Sequence, residues 1–296
     1  MNGPELERIH HGFACTYCDD TDGSSSLTHL GRTVGSHKVV RQLARGGSSR
    51  VFLAEDLMTG EYAAVKLPDA RDSVPSGLFT REAALLARLQ HPHIVRAVEE
   101  GRLHDGTEYL LLEYVSGIDL DDWLTHFGGM PWPRVLHVAR QLAAAVDHMH
   151  AHGIVHSDIK PSNVMLDAHA QDHVTLLDFG VAFDLHTERE HRGSSGTPGY
   201  MAPEQQRGEG CGPAADRYGV AAIALELLTG VRRSPGRRGT KKSIARIEAL
   251  RLPVRRKRAL ISVFEKGLHD RPSSRYDSAQ SFVDALECAS PTRLSA

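Results

Sequence analysis

Between Gly153 and Gly180 the chain reads GIVHSDIKPSNVMLDAHAQDHVTLLDFG. Asp158, Lys160 and Asn163 crowd into its first loop, and Asp178 follows beyond a short apolar run. A carboxylate can take the proton of a hydroxyl. An ammonium can offset negative charge that builds on a group in transit. An amide oxygen and a second carboxylate are the hard ligands that a cation such as Mg²⁺ prefers. One stretch thus collects a proton acceptor, a cation and two oxygen ligands.

Loops this short need stiff elements on either side. Upstream, HKVVRQLA and VFLAED flank the glycine-containing turn RGGSSR and predict two strands around a tight loop. EYAAVKLP predicts a third strand, FTREAALLARLQ a helix that stops at His91-Pro92, and IVRAVEEGRL and TEYLLLEYV two further strands. After Gly117 the pattern changes to helical spacing in LDDWLTHF, PRVLHVARQLAAAVDHMHAHG, DRYGVAAIALELLTG, RKRALISVFEKGL and SAQSFVDALECA. A strand-rich part followed by a helix-rich part predicts an α+β protein of two lobes with a cleft between them. The expected boundaries are an extension over 1–35, an ordered domain over 36–290 and a tail over 291–296. Within the domain, an N-lobe spans 36–112, a hinge 113–117 and a C-lobe 118–290.

These motifs resemble the Hanks-type protein kinases from about residue 38 to 288. The resemblance implies the bilobal protein-kinase fold: a small β-rich N-lobe with one main helix and a larger α-helical C-lobe. It implies ATP and Mg²⁺ (or Mn²⁺) as cofactors and a protein as substrate. Lys66 in AAVKLP would reach the ATP phosphates, with Glu82 in TREAAL holding it in an ion pair. Asp158 would accept the substrate hydroxyl proton, and Lys160 would stabilise the transferred phosphoryl group. Asn163 and Asp178 would ligate the metal, and the Thr197 hydroxyl would touch Asp158 and Lys160. Leu43, Val51, Ala64 and Met165 would sandwich the adenine. Leu112 would be the gatekeeper, Glu113 and Val115 would offer hinge backbone groups, and Asp119 would accept from the ribose. Glu204 in MAPEQ would pair with Arg275, and Asp216 would support the catalytic loop from below. HSDIKPSN resembles the Ser/Thr branch, and GTPGYMAPEQ with RYDSAQSFVDAL the bacterial members.

Two departures stand out. The family's G-x-G-x-x-G falls on Ala44, Gly46 and Ser49, with Gly47 as an additional glycine. Glycines there let backbone N–H groups approach phosphates closely, so nucleotide affinity could be reduced. Ser157 stands where the family has an arginine that pairs with a phosphorylated activation-loop residue, and a hydroxyl cannot make that bidentate contact. The resemblance therefore predicts a kinase that does not depend on activation-loop phosphorylation. The alternatives are a pseudokinase that binds without turnover and a small-molecule kinase, which MAPEQ disfavours.

Apolar content of 41% and charged content of 24% fit a globular protein, and no run approaches the roughly 20 apolar residues of a membrane span. Glu226 interrupts Val220–Leu228, which predicts a buried helix. Four cysteines are too few for a disulfide scaffold and, with a polar N-terminus, suggest a cytoplasmic protein. Cys15 and Cys18 form one CxxC, half of a zinc site. Residues 231–258 carry twelve Lys or Arg against one acid, Glu248. That segment is either a solvated face or a docking surface for an anionic partner. Oligomeric state leaves no mark on the sequence.

Overall fold

The computed structural model describes residues 29–69, 76–187, 196–233 and 236–289, apart from the Arg237 side chain. Cys15, Cys18, Ser194, Ser195 and the 291–296 tail lie outside the described residues. The described residues divide into two compact units. One comprises those up to Ala87 with Val95–Gly117, the other Arg88–Ile94 with those from Ile118 on.

The first unit is a six-stranded antiparallel sheet in the order β1-β2-β3-β4-β6-β5. Its strands are β1 (Thr33–Val34), β2 (His37–Arg45), β3 (Ser49–Asp56), β4 (Tyr62–Pro68), β5 (Ala97–Arg102) and β6 (Glu108–Glu113). Period-two alternation on β4 sends Val65 and Leu67 into a core shared with Phe52 and Leu111. Lys66, between them, projects from the other face. Order begins earlier than expected: β1 precedes His37, Val34 is fully buried, and the His29 ring packs on Phe52 with centroids 5.4 Å apart.

Helix α1 (Leu78–Leu86) starts where Glu108 accepts from the Gly77 N–H at 2.8 Å. It is shorter than the predicted helix, which ran on to Gln90. The helix ends as the chain passes into the second unit, where Arg88 is bonded to Asp184 and donates to the His152 carbonyl at 2.8 Å. The segment Arg88–Ile94, assigned by sequence to the N-lobe, belongs to the second unit for the same reason. His93 Nδ1 meets the Val174 carbonyl at 2.9 Å, and the Leu176 N–H donates to the His93 carbonyl at 2.9 Å.

The second unit is built on α2 (Leu120–Phe127), α3 (Trp132–Ala151), α4 (Pro203–Gln206), α5 (Pro213–Thr229), α6 (Gly236–Ala245), α7 (Val254–Gly267) and α8 (Ala279–Cys288). Its short strands are β7 (Ile118–Asp119), β8 (Ile154–Val155), β9 (Val164–Asp167), β10 (His173–Leu176) and β11 (Phe183–Asp184). They pair as β10-β9-β7 and β11-β8. Helix α5 is buried almost all round, as Val220–Leu228 predicted. Its Glu226 is satisfied by the Tyr200 hydroxyl at 2.7 Å and by the Arg233 N–H. Gly219 lets the loop before β9 lie on the helix: a Cβ there would stand 2.7 Å from Ile159 Cβ. Helix α6 lies inside the basic segment and was not foreseen, because Thr240 and Ser243 hold buried positions that apolar periodicity would need.

Five histidine rings line up across this unit. The chain runs His152–His148–His91–His93–His173, with successive centroids 4.4, 4.9, 5.4 and 4.8 Å apart. Burial, followed by the repulsion of neighbouring rings, holds His91 and His148 below the ordinary histidine range. Burial also lowers His93, although its bond to the Val174 carbonyl pulls the other way. A histidine that protonates less readily when folded stabilises the fold only while neutral, so this stability is lost as pH falls through the ordinary value near 6.5. The melting temperature should therefore drop between about pH 7.5 and 5.5, and His148→Gln should flatten that slope. A variant slope as steep as the parent's would show that burial of His148 contributes nothing to the pH dependence.

Candidate catalytic site

In the first unit, β4 sets Lys66 opposite Val51 on β3 and Leu110 on β6. Helix α1 carries Glu82, and the two form a two-pronged ion pair: Lys66 Nζ lies 2.9 and 2.8 Å from the carboxylate oxygens. Lys66 is 6% exposed and Glu82 2%, so neither charge is left to water. Removing one partner of such a buried pair costs about 3–5 kcal/mol.

The glycine-containing turn closes a hairpin in which Ala44 faces Val51 and the Gly46 N–H donates to the Ser49 carbonyl at 2.7 Å. A Cβ on Gly47 would meet nothing within 4 Å, so the turn keeps an open backbone position. Its base is clamped by Asp69, just after β4. Arg45 Nε and Arg50 Nη2 donate to opposite oxygens of that carboxylate at 2.9 and 3.0 Å. The Asp69 N–H also donates to the Ser48 carbonyl at 3.0 Å. Nothing in the sequence pattern singled out this clamp. Leu43 and Ala44 lie on β2, Ala64 pairs with Leu112, and Val115 is half-buried. The Glu113 N–H donates to the Arg96 carbonyl at 3.0 Å.

In the second unit, β8 delivers the chain to His156, and a single 3₁₀ turn, Pro161–Asn163, returns it to β9. Between them the polar residues converge. Asp158 Oδ1 accepts from the Thr197 N–H at 2.9 Å and the Thr197 hydroxyl at 3.0 Å. Asp158 Oδ2 lies 2.7 Å from Lys160 Nζ, which also donates to Thr197 Oγ1 at 2.8 Å. Asn163 Nδ2 donates to the Asp158 carbonyl at 2.9 Å, which turns its amide oxygen away. Asp178 is exposed at the end of β10, in the left-handed region at φ 59°. A non-glycine residue held there is uncommon and carries strain. Asp119 pairs in register with Met165, and as N-cap of α2 it accepts from the Asp121 and Asp122 N–H groups at 2.9 and 2.8 Å. Burial pushes its carboxyl up to about 6 against those two bonds.

The loop that carries Asp158 rests on Asp216 of α5. Its carboxylate accepts from the His156 and Ser157 N–H groups at 2.9 Å each, and His150 Nε2 lies 2.8 Å away. Burial works against this charge, but the His150 contact and the backbone donors hold the carboxyl below its ordinary range. Ser157 is thereby kept at φ 71°, with its side chain buried. Gln205 Nε2 holds the Ser157 carbonyl at 2.8 Å. The Cys211 thiol, which the Ser157 hydroxyl faces, is pushed up to about 12 by burial. Glu204 and Arg275 form the expected pair, two parallel bonds of 2.6 Å. His150 and Gln205 are the supports that sequence reasoning missed, since neither belongs to a motif with chemistry of its own.

Comparison with known proteins bears on the whole of this arrangement. The protein kinase domain family matches residues 37–296. The serine/threonine-protein kinase PknH of Mycobacterium bovis is 33% identical over 265 residues, 85% of this chain and 44% of that protein. PrkC of Bacillus subtilis is 34% identical over 67% of this chain and 31% of its own length. This chain thus spans less than half the length of these curated relatives. The crystal structure of the Mycobacterium tuberculosis PknI kinase domain superposes with a TM-score of 0.69 at 27% identity, covering 88% of this chain and 98% of that one. From the Lys66–Glu82 pair to Arg275, the chain belongs to the protein kinase domain family.

Proposed function

We propose that this chain is a Ser/Thr protein kinase that transfers the ATP γ-phosphoryl group to protein hydroxyls without needing a phosphorylated activation loop. The observation that carries this reading is the Asp158–Lys160–Thr197 network with Asn163 locked to Asp158. A substrate hydroxyl at Asp158 Oδ2 is oriented for attack on the γ-phosphorus. As its O–P bond forms and the bond to the ADP oxygen breaks, the proton passes to the carboxylate. Lys160 offsets the charge on the group in transit. Lys66, pinned by Glu82, binds the ATP phosphates. Leu43, Val51, Ala64 and Leu112 in the first unit and Met165 in the second are the apolar side chains we assign to the base, and Asp119, with one oxygen spent on its helix cap, is assigned to the ribose.

The outward amide oxygen of Asn163 and the exposed carboxylate of Asp178 make an all-oxygen donor set that fits Mg²⁺ or Mn²⁺. When bound, such an ion neutralises phosphate charge. Every ionisable group that phosphoryl transfer needs is present, which favours an enzyme over a pseudokinase scaffold. ATP as substrate and the scarcity of cysteine support a cytoplasmic catalytic unit. Among the described residues no helix is long and apolar enough to cross a membrane.

Asp158→Asn should lower ³²P transfer from ATP to a generic protein substrate by about 10²–10⁴-fold while leaving binding of a fluorescent ATP analogue intact. Nucleotide binding with no transfer in the parent chain would instead identify a pseudokinase. Asp69→Asn, which loosens the hairpin clamp, should raise the ATP KM by about tenfold, the size of one lost charge-assisted hydrogen bond, with kcat nearly unchanged. A matching fall in kcat would assign Asp69 to the chemistry itself. Ser194→Ala and Ser195→Ala should retain activity, and Thr197→Ala should lose about tenfold or more. Activity lost at either serine and restored by a phosphomimetic residue would overturn phosphorylation independence.

A further inference from the structure

The basic segment does more than coat the surface. Some of its cations are spent inside the protein: Arg232 is bonded to Asp121, and Arg233 lies buried against Tyr218 and Thr240. Six others, Arg238, Lys241, Lys242, Arg246, Arg255 and Arg258, are exposed and form no ion pair among the described residues. A solvated charged face would look the same and would need no explanation. What it would not need is a hole beside it.

Such a hole exists. A cavity of about 200 Å³ opens where the start of α3, the end of α5 and the start of α7 meet. Met130, Trp132, Leu228, Leu250, Leu252 and Leu260 line it. Arg251 and Arg256 stand on the same wall, and neither has an ion-pair partner among the described residues. Arg256 and Leu260 are one turn apart on α7, so one helix face presents a cation beside the apolar floor. The ligand that satisfies both halves carries one large apolar group with negative charge around it.

We propose that this surface docks an acidic polypeptide segment that inserts a single aromatic or leucine side chain into the cavity. Charge complementarity selects the acidic flanks, and the recess selects the anchor. A membrane-binding face would present several protruding apolar side chains to the lipid, whereas here Val254 alone among the described large apolar side chains of 231–258 is strongly exposed, and the others named line a recess bordered by Arg251 and Arg256. Nucleic acid would satisfy the charges and leave the cavity unfilled. The docking surface stands whether or not the chain transfers phosphate.

Trp132 provides the probe. The chain has two tryptophans, so Trp123→Phe leaves Trp132 as the sole reporter from the cavity wall. This otherwise full-length protein is titrated with a synthetic dodecapeptide of Asp and Glu carrying one central Phe, and Trp132 emission is followed. The expected result is a saturable emission shift that weakens with salt. Replacing the peptide's Phe by Ser, or introducing Arg251→Glu with Arg256→Glu, should each weaken binding by about tenfold or more, the loss typical of an interface anchor. Leu252→Gln, with the parent's melting temperature, should reduce affinity without altering the salt dependence. Equal binding of the Ser peptide would overturn the proposal in favour of an unspecific basic face. So would tighter binding to vesicles of phosphatidylserine and phosphatidylcholine than to the peptide, which would assign the cavity to a lipid chain.

Discussion

The loop that carries Asp158 and Lys160 is held by one buried carboxylate. Asp216 sits on a helix closed off from water and receives two consecutive backbone N–H groups, those of His156 and Ser157, together with the His150 ring. Two adjacent N–H groups can point at one carboxylate only if the chain turns sharply, and the positive φ of Ser157 is that turn. The turn then aims Asp158 back toward Lys160 and Thr197.

Buried charges and titratable rings are secured in different ways. Lys66 with Glu82, and Glu204 with Arg275, are buried pairs whose geometry is two-pronged. Such pairs fix position more than they add stability. The histidine row works in the opposite sense, since burial makes His91, His93 and His148 harder to protonate. The Asp69 clamp lies between these cases: one arginine is buried and the other is 41% exposed. It gives the hairpin a rigid base where the family's three glycines have shrunk to one.

What could be read from the amino-acid order follows from how local each feature is. Lys66, Asp158, Asn163 and Asp178 lie in short motifs with fixed offsets, next to or within segments rich in Val, Leu and Ile that read as strands. The β-rich first part, the helical second part and the protein kinase fold were legible for that reason. Glu204 and Arg275, 71 residues apart, could be paired only through family likeness. The Asp69 clamp and the histidine row were not legible. An aspartate after a strand and a histidine on a helix look like solvated residues until the fold brings their partners from other elements. Helix α6 escaped because Thr240 and Ser243 occupy its buried face, and the end of α1 because Arg88 finds its partners in the second unit.

Gly219 shows how finely the Asp158–Lys160 loop is seated. The added atom of an alanine there would lie 2.7 Å from Ile159 Cβ and 2.9 Å from the Ile159 carbonyl oxygen. Ile159 stands between Asp158 and Lys160, so the distance from helix to loop is also the height at which both side chains are presented. The gap is narrower than a methyl group. Variation at this one position therefore acts as a mechanical shim, lifting Asp158 and Lys160 together while every charged group around them keeps its identity.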